Sequence, residues 1–195
     1  MIDMSRGPVH ISAGPSSNSS SMSLSIILEV LEKSNKVIWM TRIIPDQRKI
    51  SDILGHLKDS VLNRMIVIEF GDNLSEKLEE MTGILSTLKK NDLLIIDDWC
   101  GNYGRAKSKD IDLMKKLAES FDEFKIIITS DSYEDASGKN RGFRGFMFRG
   151  GKIIEELFRT VWIIKIDNQY QKILISDQGK ELVAEATRNG YKLIN

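Results

Sequence analysis

The stretch "VHISAGPSSNSSSMSLSIILEVLE", residues 9–32, decides the fold. A short extended run leads into Gly14, and the eight residues from Gly14 to Ser21 read GPSSNSSS. An amphipathic pattern follows, with Leu24, Ile27, Leu28 and Leu31 on one helical face. Strand, glycine-led loop and helix in this order is the layout of a phosphate-binding loop, G-x-x-x-x-G-K-[ST]. Gly14 and Ser21 fit the ends of that frame. Ser19 stands where the second glycine belongs and Ser20 where the lysine belongs. The same residues also read as a capping turn, because serine and asparagine accept from the free amides of a helix N-terminus. A weak anion site is the sharper reading, since those amides, the helix dipole and the hydroxyls can together hold a phosphate or sulfate.

Outward from this stretch, apolar runs alternate with helical patterns. Strands are expected at Val9–Ala13, Lys36–Thr41, Met65–Phe70, Leu93–Asp97 and Lys125–Thr129, and helices near Ser23–Glu32, Gln47–Leu57, Leu74–Leu88 and Ile111–Ser120. The strand runs are continuously apolar, which suits a parallel sheet buried on both faces. Repeated strand–helix units predict a doubly wound α/β fold, with ligands beyond the carboxyl ends of the strands. After Ser130 comes a long loop with five glycines, "DSYEDASGKNRGFRGFMFRGGK". "TVWIIKI" and "QKILIS" then pair as an antiparallel hairpin across "DNQY", and "ELVAEATRNGYKLI" closes the chain with a turn at Asn189-Gly190. No repeat or linker divides residues 1–195, so one domain is expected.

Composition narrows the function classes. Lys plus Arg and Asp plus Glu both number 28, so net charge points to neither a nucleic acid nor a membrane surface, and only local clusters can. Cys100 is the sole cysteine, which rules out an internal disulfide and makes a reducing cytoplasm the simplest compartment. With only His10 and His56 besides, zinc chemistry is not expected. "MIDMSRGP" lacks a signal-peptide core, and no apolar run reaches membrane-spanning length.

One such cluster exists. Residues 139–152 carry Lys139, Arg141, Arg144, Arg149 and Lys152 with no acidic residue, interleaved with Phe143, Phe146 and Phe148. Cations for phosphates and flat rings for bases are what single-stranded nucleic acid requires. The competing readings are a solvated loop with local packing, and a protein-docking patch. "WCGNYGRAKSK" offers a looser version, with Trp99, Tyr103, Arg105, Lys107 and Lys109.

Three places together resemble the ATPase core of RecA-family recombinases, most nearly the archaeal RadB type. "DLLIIDD" resembles a Walker B strand, with Asp97 as the metal-side carboxylate. "IIITSDSYED" resembles the strand on which the family carries Thr-Asn-Gln, with Ser130 and Asp131 at the Asn and Gln positions. "FRGGKIIEELFRTVWIIKI", followed by a hairpin and "ATRNGYKLI", resembles the family's Gly-Gly segment and closing strands. The resemblance spans nearly the whole chain. It implies a RecA-like P-loop NTPase core, a mostly parallel central sheet with helices on both faces and a C-terminal antiparallel hairpin. It also places 139–152 where the family carries a DNA-binding loop.

The departures shape the functional expectation. Where the family's second strand ends in the glutamate that activates water, "VIWMTRIIP" puts Arg42, and a guanidinium cannot act as a base. Ser20 supplies no charge to the β/γ-phosphates, and Ser19 carries a Cβ where the backbone must curl closely. Lysine, loop glycine and base are all missing. The resemblance then implies a non-catalytic RecA/RadB-like paralogue in DNA recombination or repair. It would bind single-stranded DNA through Lys139, Arg141, Phe143, Arg144, Phe146, Phe148, Arg149 and Lys152, or bind a recombinase partner. Gly14, Ser19, Ser20, Ser21 and Asp97 would be the relic of the nucleotide site, with ATP and magnesium disfavoured as cofactors. The chain begins at its first strand, without the family's linker motif, so a dimer or association with a recombinase is expected rather than a filament. Two alternatives stand: an atypical ATPase in which Arg42 or Arg105 replaces the lysine charge, and a KaiC-like regulatory module with no DNA role.

Overall fold

The computed structural model describes residues 2–101, 106–134, 142–167 and 172–194. In chain order the elements are β1 (Val9–Ala13), α1 (Ser19–Glu32), β2 (Val37–Thr41), α2 (Gln47–Leu54), α3 (Asp59–Leu62), β3 (Met65–Glu69), α4 (Leu74–Glu80), α5 (Thr82–Leu85), β4 (Leu93–Asp97), α6 (Ser108–Glu119), β5 (Lys125–Asp131), β6 (Tyr133–Glu134), β7 (Phe146–Met147), α7 (Gly151–Leu157), β8 (Arg159–Asp167), β9 (Lys172–Asp177), β10 (Lys180–Thr187) and β11 (Gly190–Ile194). β1 to β5 and β8 to β11 lie where the sequence predicts, within a residue or two at the ends.

One sheet organises the chain, in the order β11-β10-β9-β8-β1-β5-β4-β2-β3. From β8 to β3 neighbouring strands run parallel, and β9, β10 and β11 extend the sheet antiparallel. Runs such as Leu93–Ile96 and Ile126–Ile128 are apolar on both sides because both faces are covered. On one face α1, α2 and α3 pack Leu24, Ile27, Leu31 and Ile53 against Val9, Ile11 and Ile127. On the other, α4, α6 and α7 pack Leu78, Met114 and Ile154 against Ile38, Ile96 and Ile128. The two buried clusters are separated by the sheet itself, so the carboxyl ends of β1, β2, β4 and β5 share one edge of the molecule.

β1 departs from the apolar rule. Val9, Ile11 and Ala13 face the α1 side, while His10 and Ser12 face the other side and are fully buried. The sequence shows this as a strict alternation, unlike the runs in β2, β4 and β5.

Candidate functional site at the carboxyl ends of the strands

The loop after β1 closes on itself at two points. Pro15 and Ser16 form the corner of a turn in which the Ser17 amide donates to the Gly14 carbonyl across 3.1 Å. Ser16 has a positive φ of 59°, as a type II turn demands at that position. Helix α1 begins at Ser19, four residues before the sequence predicts, so Ser19, Ser20 and Ser21 form its first turn. Asn18, left-handed at φ 55°, is the N-cap and accepts from the Ser21 amide. Ser17 is buried, its hydroxyl accepting from the Lys165 amide and its carbonyl accepting from the Tyr191 hydroxyl. The amides of Ser17 and Ser21, which a phosphate would need, thus donate inside the turn. Two of the loop's amides are thus spent internally and Ser20 brings no cation, an arrangement that differs from the ordinary cradle of a magnesium nucleotide.

A cation does reach the loop, from the next helix along the chain. Lys49, in the first turn of α2, donates to Asn18 Oδ1 at 2.7 Å. Burial lowers its pKa, and the negative charges of Asp97 and Asp46 oppose that. A cavity of about 320 Å³ opens beside it, lined by Asn18, Ser21, Arg48, Lys49 and Arg188. Lys49, rather than Arg42, is the cation at this loop. The signal available in sequence was only "PDQRK" at a helix start.

Arg42 has a different task. Its Nε donates to the Asp98 carbonyl at 3.0 Å, one terminal nitrogen to the Gly71 carbonyl and Asp72 Oδ1, both at 2.8 Å, and the other to the Trp99 carbonyl at 3.2 Å. The guanidinium also lies over the Phe70 ring and 3.3 Å from Asp98 Oδ2. It ties together the chain leaving β2, β3 and β4. The planar fork of arginine suits this, since lysine could not serve carbonyls in several directions at once.

The carboxylates at these strand ends sit in a drying environment. Asp97 is buried, and its Oδ1 accepts from Ser23 at 2.9 Å and from Thr129 at 2.6 Å. Burial raises its pKa despite those hydrogen bonds. Asp98, at φ 57°, is pushed up to about 6 by burial, with Arg42 opposing and Asp131 assisting. Asp131 is raised for the same reason. Among the described residues no group of three or more His, Cys, Asp or Glu is placed to hold a metal ion. Burial pushes the Cys100 thiol up to about 12, so it is a packed side chain.

Residues 142–152 of the basic, aromatic segment fold back over the sheet instead of projecting from it. Phe143 and Phe146 exchange backbone hydrogen bonds of 3.0 Å across Arg144-Gly145, both with positive φ, which is the signature of a type I′ hairpin. Phe143 stacks on Trp162 with ring centres 5.8 Å apart. Arg144 lies over the Phe143 ring and 3.6 Å from Glu181. Phe148 is only 8% exposed, packed edge-on to His10 and Trp162, so it offers no face to a base in this conformation. Phe146 is half-buried, Arg149 lies over the Tyr133 ring, and Lys152 is exposed on α7 near Glu156. Trp99 is fully buried, while Lys107 and Lys109 are exposed. Tyr103, Arg105, Lys139 and Arg141 lie outside the described residues.

No protein-family model and no curated sequence matches the chain. Solved structures do. The RadB recombinase superposes with a TM-score of 0.69 at 12% identity, over 97% of this chain and 91% of that one. The fold is RecA-like. A KaiC-like protein from the hyperthermophilic archaeon Pyrococcus horikoshii OT3 matches this RecA-like core with a TM-score of 0.68 at 12% identity, over 97% of this chain and 89% of that one. The flagellar accessory protein FlaH from Methanocaldococcus jannaschii matches with 0.64 at 12% identity, over 97% and 89%. Recombinase, KaiC-like and flagellar proteins thus share the architecture, and it is the RecA-like core that the sequence motifs indicated. No helix among the described residues is long and apolar enough to cross a membrane.

Proposed function

We propose that this chain is a non-hydrolysing RecA-like protein that acts by binding, in DNA recombination or repair, its ligand being single-stranded DNA, a RecA-family recombinase or both. The observation that carries the reading is Arg42. The position at which the resemblance places the water-activating glutamate holds a guanidinium committed to Asp98, Gly71, Asp72 and Trp99. It cannot accept a proton, and it cannot leave without untying three strand ends. The self-capped loop at Asn18 supports the same reading. Arg144 and Arg149 support the DNA assignment, since they belong to a run of local positive charge in a chain whose net charge is zero.

The test is phosphate release from ATP with and without single-stranded DNA. No turnover above the protein-free rate is expected in either condition. DNA-stimulated turnover that Asp97→Ala abolishes would make the chain an atypical ATPase and overturn the proposal.

A further inference from the structure

Beneath the 143–148 segment the sheet carries polar residues where a core should be apolar. Strand register sets Ser12 beside Ser130 on β5 and beside Trp162 on β8, with Ser176 next across on β9. The neighbouring row sets His10 beside Thr160. His10 and Ser12 are fully buried, Ser130 is 1% exposed and Ser132 is 8% exposed. One hydrogen bond joins them, His10 Nε2 to Ser130 Oγ at 2.8 Å. His10 Nδ1 and the hydroxyls of Ser12, Ser132 and Thr160 are buried with no hydrogen-bond partner among the described residues. What lies over this floor is apolar: the edge of Phe148 against His10 and Trp162, and Phe143 stacked on Trp162.

An orphaned buried hydroxyl is costly, and several together under phenylalanine rings make a poor core. They make a good lining for a flat heteroaromatic group with donors and acceptors on its rim. The roof over it is one continuous segment. It is a short hairpin bounded by Gly142 at φ 86° and Gly150 at φ 93°, where no other residue fits. A Cβ on Gly142 would lie 2.1 Å from the Phe146 carbonyl oxygen, and one on Gly150 would lie 2.3 Å from Ile154.

We propose that the floor formed by His10, Ser12, Ser132, Thr160 and Trp162 is a pocket for one nucleobase of single-stranded DNA. The base takes the place of the Phe143 and Phe148 rings. It stacks on Trp162, and its edge hydrogen-bonds the hydroxyls and the neutral imidazole. Arg144 and Arg149, carried on the displaced segment, face the phosphates on either side. This rests on the DNA-binding reading above and adds to it a single base-sized site on the sheet face, away from the loop after β1.

The experiment compares the full chain with the triple variant Ser12→Ala, Ser132→Ala, Thr160→Val. Affinity is measured for an oligothymidylate, for the same length with abasic residues throughout, and for thymidine monophosphate. The parent is expected to bind the intact strand roughly tenfold more tightly than the abasic one, the size of one base–aromatic stack with its hydrogen bonds. The triple variant should lose most of that difference, keep the same salt dependence, and melt at a higher temperature because orphaned hydroxyls are gone. Thr160→Val alone should move the same readings in the same directions. If the parent binds neither strand, the DNA reading falls and the pocket with it. If it binds both strands and the variants leave the base-dependent difference intact, the pocket alone is overturned. Thymidine monophosphate binding as tightly as the strand, and weakened by the variant, would make the ligand a free nucleotide and overturn the assignment to DNA.

Discussion

Lys49 on α2 and Asn18 at the N-cap of α1 are joined by a 2.7 Å hydrogen bond between ammonium and side-chain carbonyl oxygen. Asn18 therefore caps its own helix through the Ser21 amide and also anchors a second helix. The loop after β1 is a structural joint between α1 and α2, supplied with the positive charge that Ser20 does not carry.

It follows that restoring the motif should not restore the site. Ser19→Gly with Ser20→Lys places a second ammonium beside Lys49 in a turn whose Ser17 and Ser21 amides are already engaged. The expected result by calorimetry is no measurable gain in ATP affinity. Lys49→Met should lower stability by about 1 kcal/mol through loss of the hydrogen bond to Asn18. A strong gain of ATP binding in the double variant would show that the turn can still open into a phosphate cradle.

Arg42 should prove to be a stability residue. Arg42→Ala removes the donors to three carbonyls and leaves Asp98 without its ion pair, with an expected loss of about 3 kcal/mol in denaturant unfolding. Arg42→Lys should recover less than half of it, because an ammonium cannot span the same carbonyls. Arg42→Glu should be no better than alanine and should release no phosphate from ATP. An unchanged unfolding midpoint in Arg42→Ala would contradict the clamp.

The sheet was legible because long apolar runs permit few other structures. "LLIID" and "VHISA" have the bounds in the structure that the sequence predicts. The elements that escaped are those where local chemistry decides. α3 is a single turn, too short for a period to show. The helix expected over Leu74–Leu88 is broken into α4 and α5 where the Thr82 hydroxyl donates to the Glu79 carbonyl and Gly83 follows. α1 begins early because a phosphate-loop reading of Ser19–Ser21 competes with a capping one, and Asn18 decides for the cap. At the site, the sequence shows what Arg42 cannot do, while its carbonyl partners come from chain segments up to 57 residues away. Phe148 looks like a base-contacting ring because its neighbours in sequence are basic; its neighbours in space are His10 and Trp162, and these only the strand register brings to it. The polar face of β1 did leave a signal, the alternation of His10 and Ser12 with Val9, Ile11 and Ala13.

The pH dependence of stability separates two groups of opposite sign. His10 is fully buried with its pKa lowered from 6.5 to about 3, so the unfolded chain binds its proton more readily. His10 therefore costs stability as pH falls below 6.5, at up to about 1.4 kcal/mol per pH unit. Asp98 is raised from 3.8 to about 6, so its contribution is fully present below 3.8 and is lost as pH rises through 6. Asp97 and Asp131, also raised, act in the same sense. Between pH 6 and 4 the two groups oppose one another. His10→Gln should thus gain stability on acidification through this window, and Asp98→Asn should lose it faster than the parent. Thermal unfolding at pH 7, 6, 5 and 4 checks both; parallel curves for all three proteins would contradict the assignments.

The central claim is that the chain binds single-stranded DNA through the segment that carries Arg144. The most direct measurement is an anisotropy titration of a labelled single strand across a series of salt concentrations, on the parent and on Arg144→Ala. Saturable binding that weakens steeply with salt is expected for the parent, since each neutralised phosphate releases counterions. Arg144→Ala should bind more weakly and with a salt slope shallower by about one. An absence of binding at physiological salt, or an Arg144→Ala protein with the parent's affinity and slope, would contradict the account.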